Sequence, residues 1–480
     1  MSNGSNDEDE GAIVFFHPDL GIGGAERLVV DAAVGLKARG HRVVIFTNHC
    51  DPNHCFDECY DGTLDVRVRA AGPIPMSIFS RLTILCAILR QLHLILTLYL
   101  TGELDNLRPR AFIVDQLSAG LPLLRRLYPR PPVLFYCHFP DLLLASGRAA
   151  SPLKRAYRVP FDALEEWSMG YATAVAVNSG FTQRVVAQTW PRLAARIKTN
   201  IVYPCVDTAK ADDDTEDFGD DGRTLILSIN RFERKKDIAL AIKAFAAIPA
   251  AKRSDTRLIL AGGYDFRILE NREYHRELQS LADTLKLSHH TINNSNGSSS
   301  ASSDDEIFAD VGPEVEVLFL LSVSDALKAT LLRLARLLVY TPSNEHFGIV
   351  PLEAMLARVP VLAANTGGPV ETIQDGRTGW LRAPDDVPAW TKVMEQVLAL
   401  PDAEIDAIGA NGAHRVRSIF SRDSMAERLD NIIDDMTTFA HANPPQKLPL
   451  VLRILYSVFQ WVAFFLLGLY ISNLLRKKSD

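Results

Sequence analysis

The chain has 480 residues, of which 47% are hydrophobic and 23% charged, and this length predicts two or more domains. An aromatic content of 8% excludes a chain that is disordered throughout. The net charge of −7 is concentrated at Asp7–Glu10 and Asp212–Asp221, and without those 11 negative charges the rest carries about +4, which suits a phosphate-bearing ligand or an anionic membrane surface but is too weak to indicate nucleic acid.

Cysteine use and the N-terminus bear on the compartment. Six cysteines are too few for a disulfide scaffold and favour a reducing compartment. The first residues are polar and acidic, unlike a secretory signal, so we expect a cytosolic N-terminal region. A cluster of His49, Cys50, His54, Cys55 and Cys59 suggests zinc by its residue types, but it matches no common zinc spacing, and no metal site is predicted there.

Apolar runs alternate with helical periodicity along the chain, which predicts parallel strands. Before the acidic stretch, a strand, a glycine turn and a helix over 28–38 come first, and Ser179 is a predicted helix N-cap. The predicted strands of this half are 12–17, 42–47, 111–115, 133–137 and 174–178. Those of the second half are 224–229, 257–262, 316–321, 337–341 and 359–363.

This order predicts an α/β protein of two doubly wound, Rossmann-like domains at 11–207 and 223–440. An acidic linker over 208–222 joins them. The acidic tail 1–10 and the low-complexity insertion 287–305 are predicted to be disordered.

Two apolar stretches interrupt the soluble pattern. Residues 82–100 carry Arg90 in their middle, so they predict either an amphipathic helix on a membrane or partner domain, or a buried core helix. Residues 448–475 include 18 uncharged positions and predict a membrane segment. Lys477-Lys478-Ser479-Asp480 has the di-lysine pattern of endoplasmic reticulum retrieval signals.

Three loops that follow strands carry the candidate chemistry. Gly23 and Gly24, before the first helix, could bring a phosphate to the helix N-terminus or form a plain tight turn. Arg231 and Lys236 could clamp a diphosphate, with Asp237 capping the next helix, or could lie in a solvated basic loop.

The third loop holds two carboxylates eight residues apart. Glu345 follows a strand, and Glu353 lies in the first turns of a helix that is predicted to begin near Ile349. One could meet a sugar ring and the other ribose hydroxyls, although Glu353 could also be an ordinary acid at a helix N-terminus. Gly367 and Gly368 follow another strand and predict a second glycine-rich approach to the same pocket.

Together these residues resemble the retaining GT-B glycosyltransferases, two-domain enzymes that use nucleotide sugars. Glu345–Glu353 is similar to their E-x7-E motif, Arg231 and Lys236 to their Arg-x4-Lys clamp, and Gly23-Gly24 to their glycine loop. His138 resembles the histidine that contacts the donor sugar. The segments that carry a closer resemblance, to α-1,3/1,6-mannosyltransferases of dolichol-linked oligosaccharide assembly, are GIGGAERLVVDAA, YCHFPDLLL, INRFERKKDIALAI and TPSNEHFGIVPLEAM.

The resemblance implies transfer of mannose from GDP-mannose to Man1GlcNAc2-diphosphate-dolichol, without a cofactor or tightly bound metal. It also implies an endoplasmic reticulum membrane location, with cytosolic catalytic domains, and other mannosyltransferases of the pathway as partners. Arg231 and Lys236 would stabilise the leaving diphosphate, while Glu345, Glu353 and His138 would hold the donor.

Asn344 and His346 depart from the small residues found beside the first glutamate in many relatives. Three other functions remain open from sequence: a UDP-N-acetylglucosamine transferase of the same fold, a non-catalytic scaffold subunit at the membrane, and a sugar phosphorylase. The scaffold is disfavoured because the motif residues are intact, and a phosphorylase would need a lysine for pyridoxal phosphate.

Overall fold

The computed structural model describes residues 11–72, 74–78, 82–140, 143, 152–208, 222–293 and 311–444, with the backbone alone at 152–160. The predicted tail 1–10 and the membrane segment 448–475 lie outside the described residues, as does the linker at 209–221.

The first lobe is built on a sheet of seven parallel strands in the order β3-β2-β1-β4-β5-β6-β7. These strands are β1 Ile13–His17, β2 Val43–Thr47, β3 Asp65–Val68, β4 Ala111–Asp115, β5 Val133–Cys137, β6 Ala174–Val177 and β7 Thr199–Ile201. The predicted strands are confirmed because their continuous apolar runs are buried between helices on both faces. The edge strands β3 and β7 were missed because they are short and only partly buried.

Helices cover both faces of this sheet: α1 Gly24–Ala38, α2 Thr83–Thr101, α3 Glu103–Leu107, α4 Leu121–Leu127, α5 Pro152–Met169, α6 Gly180–Thr189 and α7 Pro191–Ala194. A 3₁₀ turn spans Asp57–Cys59. Ser179 caps α6 as predicted, since its hydroxyl accepts a hydrogen bond from the Thr182 amide. Helix α1 begins four residues before its predicted start at Leu28, because the glycine loop runs directly into the first turn.

Helix α2 is the apolar stretch whose environment the sequence left open. It is long and apolar enough to cross a membrane by length and composition, and 33% of its most apolar window is buried inside the protein. Gln91 lies on the buried side, where its side-chain amide donates to the Leu117 carbonyl at 2.7 Å and accepts from the Gly120 amide at 2.8 Å. Leu89, Leu96 and Leu100 are exposed. The buried-helix and exposed-face alternatives therefore each describe one side of α2.

The second lobe has another sheet of seven parallel strands, in the order β10-β11-β9-β8-β12-β13-β14. These strands are β8 Thr224–Ile229, β9 Thr256–Gly262, β10 His289–Asn293, β11 Val317–Leu321, β12 Ala335–Tyr340, β13 Val361–Ala364 and β14 Gly379–Arg382. Strand β10 shows that predicted disorder over 287–305 was wrong at its start, because 289–293 pair with β11 as an edge strand. Residues 294–305 lie outside the described residues.

The helices of the second half are α8 Ile238–Ala246, α9 Ala250–Arg253, α10 Leu269–Thr284, α11 Asp325–Leu334, α12 Val350–Leu356, α13 Pro369–Thr372, α14 Val387–Ala399, α15 Asp402–Ile419 and α16 Arg422–Ala442. Helix α16 packs in the core of the first lobe, where Leu429 and Ile433 join the cluster that contains α1. Arg422 also pairs with Asp31 of α1 at 3.1 Å. The boundary at 440 therefore needs correction: the second lobe's sheet is complete before α16, and the chain then crosses back to the first lobe.

Both sheets reverse their strand order next to their first strand, between β1 and β4 and between β8 and β12. Ligands of open α/β sheets bind at the carboxyl ends of the strands beside such a reversal. The two lobes meet at these ends, because the ring of Phe139, after β5, stacks on the ring of His346, after β12. The predicted architecture of two doubly wound domains is confirmed, and the structure shows that the two domains face one another.

Candidate active site

A short polar contact at the facing edges joins the loops after β8 and β12. Lys236 ends a 3₁₀ turn, Arg234–Lys236, and its Nζ lies 2.5 Å from Oε2 of Glu345. The Lys236 side chain is 12% exposed and that of Glu345 is 24% exposed. The Thr341 hydroxyl donates to the Lys236 carbonyl at 2.7 Å, which ties the turn to the end of β12. The structure thus brings together two residues that the sequence placed on separate loops after strands.

Arg231 occupies the same loop but is differently placed. Its side chain is 62% exposed and pairs with Glu233 at 3.1 Å. An exposed ion pair of this kind contributes little to stability, so the guanidinium can leave Glu233 for an anionic ligand at small cost.

Asp237 does not cap α8 as predicted. It occupies the N-cap position, but its backbone is left-handed, with φ of 45°, and its side chain makes no capping hydrogen bond. Capping residues usually have extended backbone angles that aim the side-chain oxygen at the first amides. The sharp junction between the 3₁₀ turn and α8 prevents that geometry here.

Tyr340 is a site residue that the sequence analysis missed. It is 3% exposed at the end of β12. Burial, together with the charge and hydrogen bond of Glu345, raises the pKa of Tyr340 well above its ordinary value. The phenol therefore stays protonated and shares the Glu345 carboxylate with Lys236. A polar residue at the buried end of a strand was the signal available in the sequence.

Glu353 lies in the first turn of α12, as predicted, and Pro351 occupies an early position of that helix. Its Oε1 lies 3.0 Å from the Nζ of Lys328, which also contacts Asp325 at 3.3 Å. Burial alone would lower the pKa of Lys328, but these two carboxylates raise it above its ordinary value. The other Glu353 oxygen, Oε2, is buried without a hydrogen-bond partner among the described residues. Lys328 was also missed, because nothing in its helix distinguishes it from a surface lysine.

Gly367 and Gly368 are needed where two loops meet. A Cβ on Gly367, whose φ is +74°, would lie 2.4 Å from the Glu345 carbonyl oxygen. A Cβ on Gly368 would lie 2.2 Å from the Phe347 carbonyl oxygen, and the Gly368 amide donates to the Glu345 carbonyl at 2.8 Å. These glycines therefore hold the loop of Glu345 against the loop after β13; their predicted approach to a ligand stays a prediction.

The glycine loop of the first lobe forms the start of α1. Gly23 is its N-cap in extended conformation, and a Cβ there would lie 2.2 Å from the carboxylate of Glu26. A Cβ on Gly24 would meet no atom within 4 Å. The first amides of a 15-residue helix are therefore sterically accessible beside Gly24, which suits a phosphate.

His138 is positioned by residues from two neighbouring strands. Its Nε2 lies 3.2 Å from Oδ2 of Asp115, and Oδ1 of Asp115 lies 2.7 Å from Nδ1 of His17. His17 ends β1 and Asp115 ends β4, and neither was predicted from the sequence to be a site residue. The signal available was that each of these strands ends in a titratable side chain.

The loop of Glu345 also contacts the first lobe. The rings of His346 and Phe139 stack with centroids 3.7 Å apart, and the Ser179 hydroxyl donates to the His346 carbonyl at 2.6 Å. Burial is the main cause that lowers the pKa of His346, which favours the neutral ring. His346, a departure from the family pattern, thus packs between the lobes.

Glu371 of α13 makes a second contact between the lobes. Its two carboxylate oxygens accept hydrogen bonds from the amides of Gly180 and Phe181, each at 2.7 Å. These are the first two residues of α6, so the carboxylate meets the positive end of that helix.

Cys50, Cys55 and Cys59 have free thiols. Burial raises the pKa of Cys50 to about 12 and that of Cys59 to about 11. In the described part of the chain, no three or more His, Cys, Asp or Glu side chains form a group that could hold a metal ion.

Comparisons with known proteins bear on the family and the fold. Residues 22–210 match the family described as Glycosyltransferase Family 4, and residues 211–300 and 305–415 match Glycosyl transferases group 1. In fold, the chain is similar to sucrose-phosphate synthase from Thermosynechococcus elongatus, with a TM-score of 0.64, 20% identity and coverage of 89% of this chain and 100% of that one. The Anabaena protein HepE, solved with UDP and glucose, gives a TM-score of 0.61 at 18% identity, over 89% and 100% of the two chains.

Much closer sequences are proteins named alpha-1,3/1,6-mannosyltransferase. That of Neurospora crassa is 57% identical over 447 residues, which covers 91% of this chain and 93% of the relative. That of Saccharomyces cerevisiae is 42% identical over 442 residues, which covers 89% and 85%. The chain therefore belongs to the α-1,3/1,6-mannosyltransferase family of GT-B glycosyltransferases.

Proposed function

We propose that the chain transfers mannose from GDP-mannose to Man1GlcNAc2 on dolichyl diphosphate, first in an α-1,3 and then in an α-1,6 linkage. The names of the relatives support the two linkages, and the resemblance of the motifs supports donor and acceptor. The observation that carries the proposal is the contact between Lys236 and Glu345 beside the strand reversal of the second lobe. This contact sets a cation and a carboxylate where a sugar diphosphate would need both.

The cations act on the leaving group. Negative charge grows on the GDP diphosphate as the bond to mannose breaks, and donors that are already oriented stabilise that charge most effectively. Lys236 has three N–H donors, so it can contact a phosphate oxygen while it keeps Glu345. Arg231 is exposed and weakly held, which lets its planar guanidinium turn to the same diphosphate. In this proposal two protein cations meet the diphosphate charge, and no tightly bound metal or cofactor is required.

The acidic residues act on the sugar and the ribose. Glu353 is held through Oε1 by Lys328, which leaves the buried Oε2 as an acceptor for a hydroxyl of the donor. Glu345, steadied by Lys236, would accept from hydroxyls of the mannose, with His138 on the opposite side. A hydroxyl that pairs with a buried acceptor gives strong selectivity, because an analogue without it leaves that acceptor unpaired.

Retention follows from attack on one face of the mannose. Glu345 already contacts Lys236 and Tyr340, which makes it a poor nucleophile. The acceptor hydroxyl would instead approach beside the departing diphosphate. Its oxygen forms the new bond to C1, the bond from C1 to the diphosphate oxygen breaks, and the hydroxyl proton passes to that oxygen.

We place the catalytic lobes on the cytosolic face of the endoplasmic reticulum membrane. The exposed leucines of α2 lie in the first lobe and would face the lipid-linked acceptor. The predicted membrane segment 448–475 would add a second contact, and other mannosyltransferases of the pathway are candidate partners.

A donor-by-acceptor assay with linkage analysis tests the proposal. Full-length protein in lipid vesicles is supplied with GDP-mannose, UDP-N-acetylglucosamine or UDP-glucose and with lipid-linked Man1GlcNAc2. We expect product from GDP-mannose alone, one sugar and then two, in α-1,3 and α-1,6 linkage. Transfer from UDP-N-acetylglucosamine would overturn the assignment of GDP-mannose as the donor. If no donor gives product, and wild type cannot be distinguished from the double mutant Lys236→Ala/Glu345→Ala, the proposal that the chain is an enzyme would be overturned.

A further inference from the structure

Four titratable side chains form a row beneath the cleft face of the first lobe. Oε1 of Glu26 lies 3.8 Å from Nε2 of His17, and Nδ1 of His17 lies 2.7 Å from Oδ1 of Asp115. The other carboxylate oxygen of Asp115, Oδ2, lies 3.2 Å from Nε2 of His138. His17 is 1% exposed and Asp115 is 2% exposed. The row runs from the glycine loop, where Glu26 lies under Gly23, to the histidine that faces the donor sugar in the resemblance.

The burial of His17 and Asp115 fixes the charges of this pair. A carboxylate with 2% exposure needs a compensating partner, because an isolated buried charge is very costly. His17 supplies it: although burial lowers the pKa of His17, Asp115 and Glu26 raise it to about 10. The same contacts hold the pKa of Asp115 below its ordinary value against the effect of burial. Asp115 is therefore ionised, and His17 carries the matching positive charge.

An ionised carboxylate can only accept hydrogen bonds. The nitrogen of His138 that faces Asp115 is Nε2, so this nitrogen must carry the proton. Nδ1 of His138 then has a free lone pair and makes no hydrogen bond to a described residue. His17 supplies the charge that balances Asp115, so the carboxylate needs His138 only as a hydrogen-bond donor. On the facing lobe, burial keeps His346 neutral, so it adds no charge there.

The geometry points to Asp115 and His17 as positioning residues that hold His138 as a neutral imidazole with its proton on Nε2, so that Nδ1 accepts a hydrogen bond from a sugar hydroxyl. The identity of that hydroxyl rests on the proposed function, whereas the protonation state of His138 does not. Neither positioning residue touches the sugar in this scheme. Each acts through His138 alone.

Nitrogen-15 NMR of histidine-labelled, full-length protein in detergent at pH 7.5 and without substrate tests the inference. Loss of a signal in His138→Gln assigns the ring. Wild type should show a neutral ring protonated on Nε2. In Asp115→Asn, the amide oxygen faces the charged His17 and its NH2 group faces His138, so the proton should move to Nδ1. In His17→Gln, the unneutralised Asp115 should give an imidazolium protonated on both nitrogens.

These outcomes separate a positioning role from a merely structural one. His290→Gln, on an exposed edge-strand residue of the other lobe, is the control and should leave the His138 signals unchanged. A wild-type ring protonated on Nδ1 or on both nitrogens would overturn the inference, as would a proton that stays on Nε2 in Asp115→Asn or a neutral ring in His17→Gln. If Asp115→Asn does not fold, wild type and His17→Gln still decide.

Activity provides the link to the proposed function. Asp115→Asn should lower kcat/KM for mannose transfer about tenfold, because the sugar hydroxyl must reverse its hydrogen bond. If Asp115→Asn shifts the His138 tautomer as expected but mannose transfer is unchanged, the role of Nδ1 as an acceptor for the sugar hydroxyl would be overturned. The expected tautomers in a protein that transfers no mannose would leave the positioning of His138 intact and refute the proposed function instead.

Discussion

Replacement of Lys236 by alanine tests whether this side chain stabilises the leaving diphosphate. The structure offers a matched control in Lys235, the preceding residue of the same 3₁₀ turn. The Lys235 side chain is 66% exposed and pairs with Glu233 at 3.0 Å, whereas that of Lys236 is 12% exposed and lies against Glu345. Both substitutions remove one positive charge from one turn, so only the position of the charge differs.

The expected magnitude follows from this difference in exposure. Loss of a pre-oriented donor to a developing negative charge costs about 10²- to 10³-fold in kcat, or about 3–4 kcal/mol. A strongly exposed charge is screened, and its contribution is about 0–1 kcal/mol. We therefore expect Lys236→Ala to lower kcat by at least about 10²-fold and Lys235→Ala to change it by less than about fivefold.

The assay is transfer of labelled mannose from GDP-mannose to lipid-linked Man1GlcNAc2, with thermal unfolding measured on each variant. Lys236→Ala leaves Glu345 without its cation, but Glu345 keeps Tyr340 and is 24% exposed, so we expect a stability loss of only about 1 kcal/mol. Wild-type turnover in Lys236→Ala, or equal losses in both variants, would refute the assignment of Lys236 to the diphosphate.

Four further variants address the acids, the buried ion pair and the contact between the lobes. Glu353→Gln should weaken GDP-mannose affinity about tenfold by calorimetry, whereas Glu345→Gln should chiefly slow transfer and should impair both linkages together, because both additions are proposed to use the same site; loss of one linkage alone would contradict a single site. The folded-state pKa of His17 is raised from 6.5 to about 10, so protonated His17 stabilises the fold fully below about pH 6.5 and this stabilisation is lost as pH rises toward 10. The free energy of unfolding should therefore fall between these pH values in wild type, and it should fall less steeply in His17→Gln. Glu371→Gln should shift the lobes toward an open arrangement, which small-angle scattering can detect.

The sequence predicted most of the fold because the central strands are buried on both faces and are therefore apolar throughout. Strand β4, Ala111–Asp115, has the bounds predicted, as does β5, Val133–Cys137. The edge strands lack that signal: β10 is only partly buried, and its sequence, HHTIN, lies beside a serine-rich segment. Helix α16 was assigned to the wrong lobe because the amphipathic period of a helix does not identify the surface that it packs on.

The candidate site divides in the same way. Residues in motifs after strands, such as Lys236 and Glu345, could be predicted because the carboxyl ends of parallel strands meet at one edge. Their partners were missed, because Lys328 lies on a separate helix and Tyr340 ends the strand before Glu345, where most residues are apolar. The same applies to His17 and Asp115, which become neighbours only through the strand order β1-β4-β5. A sequence pattern locates the residues that meet a ligand more readily than those that hold them in place.

Glu371 shows how a residue outside the catalytic motifs can govern them. Its carboxylate accepts from the Gly180 and Phe181 amides at 2.7 Å each, while the Tyr203 hydroxyl donates to it at 3.3 Å. Hydrogen bonds to a charged group contribute about 1.5–3 kcal/mol, and the positive end of α6 strengthens them. Glu371→Gln removes the charge and one of the two amide acceptors, so the closed arrangement should lose about 1.5–3 kcal/mol relative to the open one.

That loss corresponds to a shift of the open-to-closed ratio by about 10- to 150-fold. Because Glu371 touches neither the motif glutamates nor the cations, Glu371→Gln should increase the radius of gyration without ligand and lower kcat/KM, while GDP affinity for the second lobe stays unchanged. Asp375→Asn is the control, since Asp375 pairs with Arg382 within the second lobe. An unchanged scattering profile together with wild-type kcat/KM in Glu371→Gln would show that this contact does not hold the lobes together, and the alignment of His138 with Glu345 would then depend on the stack of His346 on Phe139.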